Sequence, residues 1–276
     1  MPDTLLRSAD GFRTAYRETL GHIETLVAPL QGDEWDRETG CPGWSVRDVV
    51  AHVSALESLL IGREAPEHRI PKGLAHVLSP MGEWTESGVD YRRAWPPADL
   101  LREYREVTAI RLERLDRVTD ADMESEATGL FFGPTTLARQ LTIRIFDLWC
   151  HEQDLRRALG RPGDFDSLAG LHSQEMLVRG MGRRTAERLS PPDGTTVLLD
   201  ITGPGASRRL IAFAERRPRV TDPANGAATT TMRLDMNTLT VLGCGRADDP
   251  LARERVTLEG DITLGRRILE DVASTP

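Results

Sequence analysis

The sequence predicts an α+β protein in which an N-terminal four-helix bundle is followed by a smaller α/β domain. Three observations carry this. Apolar residues recur at helical spacing through most of the first 165 residues; from Gly194 short β-rich runs replace them; and 276 residues is more than one compact core usually needs. The texture changes between residues 162 and 166, so we place a helix bundle in 1–165 and a small α+β domain in 166–276.

The first helix runs from about Thr4 to Leu30, with Leu6, Phe12, Tyr16, Leu20, Ile23 and Val27 as its apolar stripe. Pro42-Gly43 then turns the chain, and Ser45 with Asp48 three residues later forms a capping box with Asp in place of Glu. The second helix carries Val46, Val49, Val50, Val53, Leu56 and Leu60, and His52 shares a face with Val49 and Leu56, so it points inward. Between Glu64 and Pro97, five prolines (Pro66, Pro71, Pro80, Pro96 and Pro97) divide the chain into short pieces suited to a lid or pocket wall, with Trp84 the prominent aromatic. A third helix opens at Pro97 or Ala98 and continues to about Val118 on Leu100, Leu101, Tyr104, Val107, Ile110 and Leu115.

A link containing Gly129, Phe131, Phe132, Gly133 and Pro134 leads to the fourth helix, Thr135 to Gly160, with Pro162 just beyond its end. Ser167 to Leu189 is again helical. The runs TTVLLDITG, RRLIAFA, TTTMRLD and RVTLEGD read as strands, ITGPGAS at 201–207 as a hairpin turn, and Asp261-Ile262 opens a last helix.

Composition narrows the function. Hydrophobic residues make up 39% and charged residues 28%, a globular balance, and 35 basic against 43 acidic residues give a net charge of −8. That balance argues against a nucleic-acid binder. No apolar run of about 18 residues is present, and the N-terminus has no signal-peptide pattern, so no membrane partner is expected and the cytoplasm is the expected compartment. Cys41, Cys150 and Cys244 are odd in number and lack a CxxC, which fits reduced thiols. Neither a dinucleotide fingerprint nor a Walker A or GxSxG motif stands in a strand-to-helix context.

The chemistry concentrates on the fourth helix. Asp147 and His151 are four residues apart and share a face, and His52 from the second helix supplies a third donor. Two imidazoles and a carboxylate with one position left open match a catalytic zinc site, although the same donors suit nickel, iron or manganese. Blander readings coexist with this one. A single inward histidine is commonly a core residue, and Arg144, three residues before Asp147, could give it a plain ion pair. Asp154, three residues after His151, or Asp48, one turn before His52, could serve as the acceptor that orients an imidazole. His22, His68, His76 and His172 read as surface or loop residues. Cys150 points about 100° away from His151 and reads as an inert buried thiol, and no base is identifiable beside Cys41.

Two stretches, GCPGWSVRDVVAHVSALE and RIFDLWCHEQDLRRALGRP, resemble the paired signatures of the mycothiol-dependent maleylpyruvate isomerase family, a branch of the DinB-like helix-bundle superfamily. The ending RVTLEGDITLGRRILEDV is similar to the small α/β domain that many members carry. The resemblance implies a DinB-like four-helix bundle and a divalent metal, usually zinc, on His52, Asp147 and His151. It also implies mycothiol as cofactor or cosubstrate. Family members more often have Glu where Asp147 stands, one methylene longer.

These readings converge on a metal-dependent enzyme that activates the mycothiol thiolate for S-transfer to, or isomerisation of, a small electrophile. No protein nucleophile is required, and Trp84 with Arg144 is assigned to the second substrate. A metal-free bundle binding a small molecule or partner, and a metal-assisted hydrolase, are the alternatives.

Overall fold

The computed structural model describes residues 6, 8–130, 133–223, 226–246 and 248–274. The chain divides into two compact units, one spanning Leu6–Pro162 and the other built on Gly163–Pro276. The fold class is α+β, with a helical first unit and a small sheet in the second.

In the first unit, α1 (Ala9–Val27) starts where the Ser8 side chain accepts from the Gly11 amide, and it buries Phe12, Tyr16, Leu20, Ile23 and Val27. The part of the predicted first helix at Thr4 and Leu5 lies outside the described residues. The second helix, α2 (Val46–Leu60), begins on the reciprocal Ser45–Asp48 capping box. It is buried from Val49 through Ser58, the most enclosed helix of the unit, and packs against three others. That position buries polar side chains along with the apolar ones, among them Asp48, His52, Ser54 and Glu57.

The segment from Glu64 to Pro97 is more regular than its prolines suggest. Pro80–Arg93 forms α3, with Ser79 as N-cap and Pro80 in the first turn. There the missing amide hydrogen would have had no helical acceptor, so the proline initiates the helix and does not break it. Pro97 plays the same part for α4 (Pro97–Leu115). The predicted link after α4 contains a small antiparallel hairpin, β1 (Glu126–Gly129) with β2 (Gly133–Thr136); Phe131 and Phe132 lie outside the described residues. Thr136 then caps α5 (Leu137–Ala158), 22 residues long.

The second unit starts with α6 (Leu168–Leu189), capped by Ser167. Its sheet has the order β5-β4-β3-β6-β7, from β3 (Thr196–Thr202), β4 (Ser207–Ala214), β5 (Arg217–Thr221), β6 (Thr230–Asp235) and β7 (Thr257–Gly260). Neighbours are antiparallel except β3 and β6, which run parallel. Strand β6 leads directly into α7 (Met236–Gly243), capped by Asp235, and α8 (Ile262–Glu270) follows β7 on an Asp261 cap. Strand β5 and helix α7 were not anticipated. The β4–β5 turn is Glu215-Arg216, both with positive φ and neither the Gly nor Asn that advertises such a turn, and Pro218 sits on an edge strand where its missing donor is harmless. Among the described residues no helix is long and apolar enough to cross a membrane.

Candidate metal centre

The three predicted donors meet inside the first unit. His52 on α2 and Asp147 and His151 on α5 each present a ligand atom within 4.8 Å of the other two. His52 and His151 are buried, while the Asp147 side chain keeps 20% of its exposure. His52 Nε2 stands 3.5 Å from Asp147 Oδ2, and His151 Nε2 stands 3.6 Å from Asp147 Oδ1. Such separations are long for hydrogen bonds. They are close to the roughly 3.3 Å between two donors that share a tetrahedral zinc at about 2.0–2.1 Å.

The buried polar atoms sharpen the fit. Among the described residues neither ring nitrogen of His52 has a hydrogen-bond partner, although the residue is only 3% exposed. A buried unsatisfied imidazole costs on the order of 1–3 kcal/mol, so it calls for an explanation, and a cation seated between the donors provides one. The donor set, two imidazoles and one carboxylate, suits a divalent transition metal.

Electrostatics leave these groups in forms that could bind a cation. Burial pulls the His52 imidazolium pKa down to about 4, against the opposing pull of Asp147, so the ring is neutral near pH 7. For Asp147 burial pushes the other way, but the Arg144 guanidinium, followed by His52, outweighs it and holds the carboxyl well below the usual carboxylate range. His151 Nδ1 lies 3.1 Å from Asp154 Oδ2. An Nδ1–H donated to that buried carboxylate leaves the Nε2 lone pair facing Asp147.

Two other sequence-assigned residues are engaged elsewhere. Asp48 does not reach an imidazole. One of its oxygens accepts from the Ser45 amide and hydroxyl, and the other pairs with Arg93 Nε at 3.0 Å. Its capping duty points it at the start of α2, away from the residue one turn on. Arg144, assigned to the second substrate, is 1% exposed. Its Nε donates to Glu57 Oε1 at 2.8 Å, Nη1 to Asp147 Oδ2 and Nη2 to the Val53 carbonyl, and only an edge of it lines a small cleft with Gln140 and Ile143. Trp84 does remain accessible, at 38%. It lines a cleft with Ala55, Leu56, Leu59 and Pro66, one turn of α2 beyond His52.

Several site residues escaped the sequence. The Trp44 ring lies 4.9 Å from that of His52 and 5.6 Å from that of His151, while the two imidazoles meet edge to face at 4.7 Å. Trp44 Nε1 donates to Glu86 Oε2 at 2.8 Å, and Glu86, 1% exposed on α3, also accepts from Arg93 and faces His76 Nε2 at 3.0 Å. The signal for Trp44 was its place immediately before a helix cap, where an apolar residue commonly packs back onto the helix. Cys41 also lies close by, its sulfur within 4.8 Å of ligand atoms of His151 and Asp154, neighbours that the sequence did not place beside it. His172 is buried on α6 at 1% exposure, not on the surface; His22 contacts Glu152 and His68 contacts Asp90.

A helix bundle that gathers two histidines and a carboxylate from two helices, in a chain that also carries a small α+β unit, defines the class of bundle proteins with a candidate metal site in the core. Within that class the assignment is specific. The family model described as the mycothiol maleylpyruvate isomerase N-terminal domain matches residues 16–156, more than half the chain, and the chain belongs to that family.

The chain is 26% identical over 233 residues to an uncharacterised protein of Mycobacterium tuberculosis, found alike in two strains, covering 81% of this chain and 85% of that one. Crystal structures of the mycothiol-dependent maleylpyruvate isomerase are similar in fold. A histidine-to-alanine variant superposes with a TM-score of 0.57 and the unaltered enzyme with 0.56. Both are 17% identical and cover 91% of this chain and 92% of theirs.

Proposed function

We propose that this chain is a metal-dependent, mycothiol-using enzyme that transfers the thiol to, or isomerises, a small electrophilic substrate, with a divalent metal, zinc first, on His52, Asp147 and His151. The observation that carries the reading is His52, a buried imidazole with no hydrogen-bond partner on either nitrogen among the described residues, its Nε2 set 3.5 Å from a carboxylate that also faces His151. Membership of the family and the printed name of the similar crystal structures support mycothiol as the thiol. They do not choose the acceptor.

When bound, the metal supplies a Lewis-acidic position that favours the ionised form of a thiol near neutral pH. The chain's own residues do the rest. His52 needs no deprotonation at neutral pH, because burial already keeps it neutral. Asp154 fixes the proton of His151 on Nδ1 and so aims Nε2 inward. Trp44, anchored by Glu86, walls one side of both rings and excludes water from them.

For isomerisation the thiolate sulfur forms a bond to one carbon of a conjugated double bond, whose electron pair moves onto the adjoining carbonyl. The resulting single bond rotates, the pair returns, and the sulfur leaves with no net oxidation. In transfer the carbon–sulfur bond is kept: after addition the enolate carbon takes up a proton from solvent, and in displacement the leaving group departs with the electron pair of the bond it breaks. Trp84 and the cleft beside it are assigned to the electrophile.

The Arg144–Asp147 ion pair favours a second reading, a metal-free bundle that binds a small molecule or partner. Metal analysis of protein purified without added zinc separates the two. About one equivalent, lost in His52→Ala, is the expected result, and less than about a tenth of an equivalent in the parent overturns the enzyme reading. Incubation with mycothiol and an electrophile panel, followed by mass spectrometry, tests the chemistry. Thiol-dependent product is expected, whereas turnover unchanged without thiol identifies a metal-assisted hydrolase.

A further inference from the structure

Glu57 is a fully buried carboxylate on α2 that the chemistry above does not use. The Tyr16 hydroxyl contacts its two oxygens at 2.7 and 2.9 Å, Arg144 Nε donates to it at 2.8 Å, and Arg111 Nε lies 3.8 Å away. Arg144 is the link between this cluster and the metal centre, for the other end of its guanidinium fork holds Asp147 Oδ2. One cation is thus divided between two carboxylates. Oδ2 is also the oxygen that faces His52.

A dication entering among His52, Asp147 and His151 competes with Arg144 for Asp147. The competition is decided by how firmly Arg144 is held on the other side. If Glu57 carries its full charge, the guanidinium is drawn toward α2 and Asp147 keeps electron density for a metal; if that charge is removed, Arg144 neutralises Asp147 more completely. Both charges also act on the dication directly and with the same signs, Glu57 attracting it and Arg144 repelling it.

We propose that Glu57 is a positioning residue of the metal centre, acting through Arg144 to set the affinity of Asp147 for a divalent cation. This rests on the metal reading above. It predicts opposite effects from the two members of one ion pair, which loss of structure would not produce.

The test is a competition titration of chelator-stripped full-length protein with zinc against a chromophoric chelator, with folding of each variant checked by circular dichroism. Glu57→Gln is expected to weaken zinc binding about tenfold and Arg144→Gln to strengthen it by a similar factor, while Arg144→Lys stays near the parent. Tyr16→Phe, a milder change that removes one donor from Glu57 and so strengthens its hold on Arg144, is expected to tighten zinc binding about threefold. Should Arg144→Gln fail to fold, Glu57→Gln against Tyr16→Phe retains the opposed signs. A parent that binds zinc while the variants shift in the same direction, or not at all, overturns the role of Glu57 alone. A parent that takes up no zinc overturns the metal reading itself, and the role of Glu57 with it.

Discussion

Helices α2 and α5 hold two buried polar clusters side by side, and they are satisfied in opposite ways. Around Glu57 the carboxylate is answered: the Tyr16 hydroxyl and Arg144 Nε donate to it, and Arg111 Nε stands 3.8 Å away. Burial, followed by the neighbouring carboxylate, pushes the Tyr16 phenol far above its ordinary pKa, so it remains a donor. Around His52 the ring nitrogens have no hydrogen-bond partner among the described residues, and Asp147 Oδ2 stands at 3.5 Å, a distance that suits a shared ion better than a hydrogen bond. Equal burial therefore serves different ends. The first cluster ties Glu57 on α2 to Tyr16 on α1 and Arg144 on α5, and the second gathers donors that a bound cation would satisfy.

The largest effect that would break this contrast is on stability. Glu57→Ala removes the partner of a buried guanidinium and is expected to cost about 3–5 kcal/mol in urea unfolding of metal-free protein. His52→Ala, which loses packing but no hydrogen bond, is expected to cost about 1–2 kcal/mol. Equal losses would mean that the two clusters are not different in kind.

The next effect is the pH dependence of metal-free stability. His52 titrates at about 4 when folded and near its ordinary 6.5 when unfolded, so between these values the unfolded chain binds more protons and stability rises with pH. Its contribution is present above pH 6.5, is lost progressively as pH falls, and is gone below about 4; the whole is on the order of 3 kcal/mol. Asp147, whose folded value is depressed, adds loss in the same sense at lower pH, below its unfolded value. Unfolding free energies between pH 4.5 and 7 should be flatter in His52→Ala; identical slopes would contradict an unpartnered buried ring. Slightly smaller is the gain on adding metal. At a hundredfold excess over the dissociation constant, zinc should stabilise the parent by about 2.7 kcal/mol and His52→Ala far less, read as a shift in melting temperature.

What was legible in the sequence was local. The i,i+4 pair Asp147–His151, the capped start of α2 and the inward face of His52 all follow from one helical period, and the structure does bring these three side chains together. What surrounds them is not local. Glu57 meets Tyr16 across 41 residues and Arg144 across 87, and Trp44 meets Glu86 across 42, separations that no periodicity encodes. The available hint was Glu57 itself, a carboxylate set between Leu56 and Ser58 and well past the capped first turn of α2. Helix α3 was hidden because a proline was read as an interruption when Ser79 made it a first turn.

The same distinction between bonded and awaiting groups applies to two aspartates, each close in sequence to a histidine of the centre. Asp154 contacts His151 Nδ1 at 3.1 Å and also accepts from Arg157 at 2.6 Å, whereas Asp48, one turn before His52, accepts from Ser45 and Arg93 and leaves the imidazole alone. Sequence spacing treated them as equivalent candidates for orienting a ligand. If outer contacts tune a metal only through the ring they touch, Asp154→Asn should weaken zinc binding about tenfold, because the amide no longer holds the Nδ1 proton as firmly. Asp48→Asn keeps a capping oxygen but loses the charge on Arg93, so it should cost about 1 kcal/mol of stability. Its zinc affinity should equal that of the parent. The two variants, titrated side by side, ask whether the metal centre ends at the groups that contact its rings; an equal loss of affinity in both would extend it through the packing of α2 as a whole.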